Sequence, residues 1–221
     1  MNITKKMIPC DCQNRGCKEF AGCCFTATEV VIRDGGSAGD GDYGNIHLMF
    51  VGQGAGRDED INMNPDNLMR QPFVGKAGVY LRNIIKFLWD GGLIFNVAIS
   101  NSVRFHPLDA SRKDRAPTPE ELNDCIRLLD RDIDLVKPKA LVALGMSTSN
   151  ALIPETAGAV MGRIAGLSYL YRGIKTVPLY HPSFLTRNYG KFTANQRGDY
   201  HIRCVEVLRK LAAEAVGTNN P

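Results

Sequence analysis

The sequence predicts an α/β fold, a three-layer α/β/α sandwich around a central four-stranded, mostly parallel sheet. Two observations carry that expectation. Four short apolar runs bounded by turn residues have the length of buried parallel strands: IHLMFVG at 46–52, NVAIS at 96–100, ALVALG at 140–145 and KTVPLY at 175–180. Helical patterns lie between and after them, at Ala77–Trp89, Thr118–Val136 and Asn195–Ala215. Strands alternating with helices build a sheet covered on both faces.

The 221 residues fit one domain, 1–221, with a Cys-rich N-terminal segment over 1–45. No apolar run reaches the length of a membrane span, and MNITKKMIPC lacks the apolar stretch and cleavage site of a signal peptide. The expectation is a cytoplasmic, nucleoid-associated protein that is neither secreted nor membrane-bound. A net charge of +4 permits a polyanionic partner without demanding one.

Of the seven cysteines, Cys10, Cys12, Cys17, Cys23 and Cys24 crowd together before the first strong strand. In a cytosolic chain, thiols concentrated in a polar segment point to metal or iron–sulfur ligation rather than to disulfides, with core packing as the alternative. Asp34–Asn45, rich in glycine and aspartate, reads as a loop leading into the strand at 46–52.

That strand runs into Gly52-Gln53-Gly54-Ala55-Gly56, followed by Arg57-Asp58-Glu59-Asp60. Alternating glycines let backbone amides approach a ligand closely. A nucleotide-binding turn is the alternative, but the three acidic residues would repel a pyrophosphate. In Gln71–Gly78 (QPFVGKAG), Phe73 is either a core plug or a stacking platform. Asn101 ends the second strand, where an amide can read the edge of a base or simply close a turn.

Thr118-Pro119-Glu120-Glu121 is a helix start, with Thr118 as N-cap and Pro119 at the first helical position. The last strand ends in Tyr180-His181-Pro182-Ser183-Phe184-Leu185-Thr186-Arg187. A histidine held by a proline and followed by apolar residues suggests chemistry, with Phe184 and Leu185 as a wedge and Ser183 and Arg187 as DNA contacts. In such sheets ligands bind at the carboxyl ends of the strands, where these loops lie.

Taken together and in order, VGQGAGRDED, QPFVGKAG, NSVRFHP, APTPEELNDC and LYHPSFLTR resemble the family-4, iron–sulfur branch of the uracil-DNA glycosylases, over about Ile46 to Arg187. The resemblance implies a monofunctional glycosylase that flips uracil or a related pyrimidine out of single- or double-stranded DNA and hydrolyses its N-glycosidic bond. It implies that Gly52 and Gly54 line the base loop, that Phe73 stacks on the flipped base and that Asn101 reads its pairing edge. His181 would stabilise the charge on the departing base, with Gln53 and Asn101 completing the catalytic set. The protein is expected to act as a monomer.

The chain departs from the family pattern in several places. Gln53 stands where the family usually has glutamate, so water activation would pass to backbone or to Asp58, Glu59 or Asp60; it also makes a non-catalytic binding module for modified DNA the alternative function. The chain is longer before the first strand, between Asp60 and Pro72, and between Phe105 and Pro117, which favours a modified pyrimidine larger than uracil as a substrate candidate. The basic run Ser111–Arg115 reads as a phosphate contact or as a solvated loop. The family's [4Fe–4S] cluster takes a cysteine where this chain has Phe105. Either the surplus N-terminal thiols supply the missing ligand, or the site holds another metal such as zinc, or it is lost; the favoured reading of the resemblance is a retained [4Fe–4S] cluster on Cys125 and three of Cys10, Cys12, Cys17, Cys23 and Cys24. Cys204 is expected in the core.

Overall fold

The computed structural model describes residues 3–8, 27–33, 43–61, 71–187 and 194–217. Its strands are β1 (Ile3–Ile8), β2 (Thr28–Arg33), β3 (Ile46–Gly52), β4 (Asn96–Asn101), β5 (Ala140–Leu144), β6 (Tyr169–Tyr171) and β7 (Ile174–Leu179). Its helices are α1 (Arg57–Ile61), α2 (Lys76–Asp90), α3 (Pro119–Val136), α4 (Met146–Leu152), α5 (Met161–Ile164), α6 (Pro182–Arg187) and α7 (Ala194–Val216).

Among the described residues the strands form one seven-stranded sheet of order β1-β2-β4-β3-β5-β7-β6. The four expected strands are its parallel centre, β4-β3-β5-β7. The expected total of four is too low, because antiparallel β2 and β1 extend one edge and β6 the other. These edges escape a hydrophobicity pattern for a physical reason. Three of the six residues of ITKKMI are exposed, as befits an edge that must not pair with another chain, and β6 has only three residues.

Alternation along each central strand separates two cores. Leu48 and Phe50 of β3 pack with Val97 and Ile99 of β4 against Leu81, Ile84 and Leu88 of α2 and Leu208 and Leu211 of α7. Met49 and Val51 face the other way, with Ala98, Leu141 and Ala143, onto Leu129, Ile133 and Val136 of α3. Helices thus cover both faces, giving the expected three layers. Each fully buried Leu, Ile or Phe stabilises by about 1.5–3 kcal/mol, so the strand centres hold the strand ends rigidly.

Two buried polar clusters tie these layers together. Arg104 and Asp132, 1% and 0% exposed, pair at 2.6 Å. Thr28 donates to Asp132 at 2.5 Å, and Arg104 donates to Ser100 at 2.7 Å, so the cluster links β2, β4 and α3. At the other face, the buried Glu29 carboxylate receives Arg82 and, at 2.8 Å, Gln71. Arg82 also donates to the Pro72 carbonyl at 3.1 Å and so fixes the approach to Phe73. The N-terminus of α3 forms as expected: Thr118 Oγ1 accepts from the Glu121 amide at 3.2 Å, while Glu121 accepts from the Thr118 amide at 2.7 Å.

Candidate active site

The loops at the carboxyl ends of the parallel strands surround a cleft of about 640 Å³, whose walls include Gln53, Phe73, His106, Gly145, Tyr180 and His181. Backbone hydrogen bonds zip the loop after β3 to the loop after β4. Gly52 O accepts from the Ser102 amide at 2.8 Å, Gln53 O from the Val103 amide at 3.1 Å, and Phe105 O from the Ala55 amide at 3.1 Å. Gly54 is required by this closeness, because a Cβ there would lie 2.8 Å from Val103 and 2.9 Å from the Phe105 carbonyl oxygen.

Phe73 is 6% exposed and holds φ +57, a left-handed conformation that a phenylalanine adopts only when its surroundings impose it. Part of the constraint comes from Glu59, 8% exposed, whose two carboxylate oxygens accept from the Gly56 amide at 2.9 Å and the Val74 amide at 2.8 Å. Both oxygens are therefore engaged in clamping the β3 loop to the Phe73 turn, which sets Glu59 apart from water activation. A Cβ on Gly78 would run into the Phe73 carbonyl, so α2 can start here only with glycine at that position.

Asn101 lies beneath the cleft rather than on its wall, at 1% exposure. Its Oδ1 is buried and accepts no hydrogen bond among the described residues. A Cβ on Gly52 would lie 2.5 Å from both that oxygen and Phe73 Cζ, so the amide and the ring converge over the Gly52 backbone. An unpaired buried acceptor costs about 1–3 kcal/mol, and here it faces the ring proposed from sequence to hold a base.

His181 stands beside Phe73, with ring centroids 5.8 Å apart and planes at 32°. The Ser183 amide donates to its Nδ1 at 3.1 Å, and the Ser183 hydroxyl lies 2.8 Å from the same nitrogen. A neutral imidazole that accepts at Nδ1 carries its proton on Nε2. Gly145, at φ +89, supports the ring from below, since a Cβ there would come within 3.1 Å of His181 Cβ.

Of the expected wedge, Leu185 is buried at 6% exposure, whereas Phe184 stands on the cleft wall and stacks on Tyr180 at 5.2 Å and 24°. Tyr200 meets both rings edge-on, at 4.9 and 5.7 Å. Burial and the neighbouring Tyr200 raise the Tyr180 phenol above its ordinary range. Arg187 ends α6, but its side chain lies outside the described residues.

The basic run Ser111–Arg115 belongs to an ordered hairpin. Leu108 bridges Asp114, and Asp109 Oδ1 accepts from the Ser111 and Lys113 amides at 2.8 and 2.9 Å. Arg115 is committed to Glu121 through bonds of 2.6 and 2.7 Å, which holds the Glu121 carboxyl below the usual carboxylate range. Arg112 and Lys113 remain exposed.

Cys10, Cys12, Cys17, Cys23 and Cys24 lie outside the described residues. Cys125 is buried on α3 and packs with Phe105, Val103 and Ala55. Among the described residues no group of three or more His, Cys, Asp or Glu could hold a metal ion. Cys204 is in the core as expected, where burial pushes its thiol up to about 11. No described helix is long and apolar enough to cross a membrane.

Three wall or clamp residues were not given their roles from sequence. Gly145 had a signal, a glycine closing a strand at the ligand-binding edge. His106, 7% exposed and 3.0 Å from Asp114, had the same signal as His181, a histidine before a proline in a strand-end loop. The Glu59 clamp had none, because its partner Val74 is fifteen residues away in the chain.

A family model described as the uracil DNA glycosylase superfamily matches residues 38–209. The Type-4 uracil-DNA glycosylase of Thermotoga maritima is 31% identical over 164 residues, 73% of this chain and 73% of that protein. A Type-4 uracil-DNA glycosylase of Sulfurisphaera tokodaii is 31% identical over 147 residues, 64% of this chain and 61% of that protein. A Type-5 uracil-DNA glycosylase of Pyrobaculum aerophilum is 32% identical over 130 residues, 57% and 50% of the two lengths.

Proposed function

The chain belongs to the uracil DNA glycosylase superfamily, and on that premise we propose that it is a monofunctional DNA glycosylase. It flips a pyrimidine, uracil or a modified one, out of DNA and hydrolyses the N-glycosidic bond to leave an abasic site. The observation that carries the reading is the His181 ring, oriented through Nδ1 by Ser183 beside Phe73 at the ligand-binding edge of the sheet. The relatives named uracil-DNA glycosylases support the same reaction class.

In this reading Phe73 stacks on the flipped base and Asn101 Oδ1, which has no partner among the described residues, accepts from its pairing edge. The Gly52 and Gly54 backbone admits the base at close range. As the bond from the sugar breaks, charge moves onto the base oxygen, and a donor placed there in advance lowers the barrier because it binds the transition state more tightly than the substrate. His181 Nε2–H supplies that donor. Phe184, with Leu185 buried behind it, fills the gap left in the stack, while Ser183 and Arg187 contact the strand. The protein works as a cytoplasmic monomer on single- or double-stranded DNA.

A [4Fe–4S] cluster on Cys125 and three of Cys10, Cys12, Cys17, Cys23 and Cys24 belongs to the proposal, with zinc as the alternative. The β1–β2 pairing supports it. β1 ends at Ile8 and β2 begins at its partner Thr28, whose hydroxyl bonds Asp132, seven residues and about two turns from Cys125 on α3. Phe105 packs on Cys125 where the family pattern has a cysteine, so this reading takes the remaining thiolates from the N-terminal segment. Such a cluster would fasten that segment to α3. Iron and sulfide analysis with the visible spectrum of the purified protein tests it.

The deciding experiment for function is a panel of single- and double-stranded oligonucleotides carrying uracil or 5-substituted pyrimidines, incubated with protein and then cleaved with alkali. Alkali-dependent cleavage is expected with at least one. Tight retention of a modified strand without release of any base would instead favour the binding-module reading that Gln53 suggests.

A further inference from the structure

Phe73 is suspended between two buried carboxylates. On one side Glu59 accepts from the Val74 amide at 2.8 Å. On the other side is Glu29, fully buried on β2, a strand outside the parallel centre of the sheet. Val31 of β2 packs with Leu81 and Ile84 of α2, and Glu29, two residues earlier, shares that face. Its carboxylate receives Arg82 of α2, Gln71 at 2.8 Å and Lys5 of β1 at 3.4 Å. Gln71 and Arg82 flank Phe73 in the chain. The Arg82 nitrogen that reaches Glu29, Nη2, also donates to the Pro72 carbonyl at 3.1 Å. One nitrogen thus joins an outer strand to the peptide that leads into Phe73.

Stability alone does not account for this pair. Taking a carboxylate out of water offsets much of what its pairing returns, and apolar side chains of similar size would fill the same space. Charged hydrogen bonds add direction. Phe73 needs it, because its left-handed φ of +57 is a conformation the chain does not choose unaided. The ring also has little room to wander: a Cβ on Gly52 would lie 2.5 Å from Phe73 Cζ. Glu59 holds the peptide after Phe73, and Glu29, through Arg82, holds the peptide before it.

We propose that Glu29 and Arg82 are a positioning pair that sets the Phe73 ring for the flipped base. This rests on the glycosylase reading above and adds a remote determinant to it. None of the β2 residues lines the cleft, so the strand acts on the base only through Arg82, Gln71 and the turn they hold. Base release then depends on an antiparallel edge of the sheet as well as on the loops at the ends of its parallel strands.

The test is a double-mutant cycle on single-turnover base release, comparing Arg82→Met, Phe73→Leu and the double variant on the oligonucleotide of the panel from which the wild-type protein releases base fastest. Methionine keeps an unbranched apolar stem and removes the donors. Each single change is expected to slow release about 10-fold, the scale of a lost base–aromatic stack. The double variant should be no slower than the slower single one, because a ring that is absent cannot be misplaced. An Arg82 that only stabilised the fold would cost the same in either background, and the two falls would multiply to about 100-fold. Arg82→Lys should recover most of the rate, since one ammonium nitrogen can donate to both oxygens. If Arg82→Met does not fold, Gln71→Leu, which removes the other Glu29 partner beside Phe73, goes through the same cycle with the same two outcomes. Falls that multiply, an unchanged rate in Arg82→Met, or no recovery in Arg82→Lys overturn the proposal while the glycosylase reading stands. No release by the wild-type protein from any oligonucleotide of the panel overturns the glycosylase reading itself, before any variant is compared.

Discussion

The Ser183 backbone amide donates to His181 Nδ1 at 3.1 Å and so leaves the imidazole proton on Nε2. His181→Ala is expected to lower single-turnover base release by about 10²–10³-fold, the scale of losing one donor aimed at a developing oxyanion. Binding to the same oligonucleotide should survive. Parallel measurement of release rate and affinity checks this, and an unchanged rate would remove His181 from the chemistry.

Gly78→Ala should destabilise the protein although alanine is the better helix former by about 1 kcal/mol. The added methyl meets the Phe73 carbonyl, and the Phe73 turn must move to admit it. A lower melting temperature together with lost base release is expected. A variant as stable and active as wild type would show that the turn yields freely.

Removing the Glu59 carboxylate takes acceptors from two backbone amides at once. Glu59→Ala is expected to cost about 2 kcal/mol or more, on a scale of about 1–3 kcal/mol per orphaned buried group. It should also cost activity, since the β3 loop and the Phe73 turn lose their shared clamp. Chemical denaturation and base release measured together would reveal it; loss of neither would mean that water replaces the carboxylate.

Arg115 holds the Glu121 carboxyl below its unfolded value of 4.5, chiefly through their side-chain hydrogen bond. A depressed carboxylate contributes stability above its unfolded pKa, and that contribution disappears as pH falls from about 4.5 through the lower folded value. The stability gap between wild type and Glu121→Gln should therefore be full at neutral pH and shrink under acid. Melting curves across pH test the sign, and a gap that widened under acid would contradict it.

The parallel centre of the sheet and the three long helices were legible because their patterns are local: Ile46–Gly52 is buried at every position, and Thr118 caps the helix it precedes. The candidate site was legible as loops at strand ends, and Phe73, His181 and Gln53 do meet on one cleft. What stayed hidden depends on partners distant in the chain. The Arg104–Asp132 pair spans 28 positions and Thr28–Asp132 spans 104, so neither leaves a periodic trace. Leu185 shows the other limit, since an apolar residue beside a histidine gives no sign of whether it faces solvent or core.

The pairing of Ile8 with Thr28 gives the thiol-rich stretch neighbouring points of attachment on an outer hairpin. β1 and β2 stand outside the parallel centre β4-β3-β5-β7, so a change of length between Ile8 and Thr28 leaves the pairing of the four inner strands untouched.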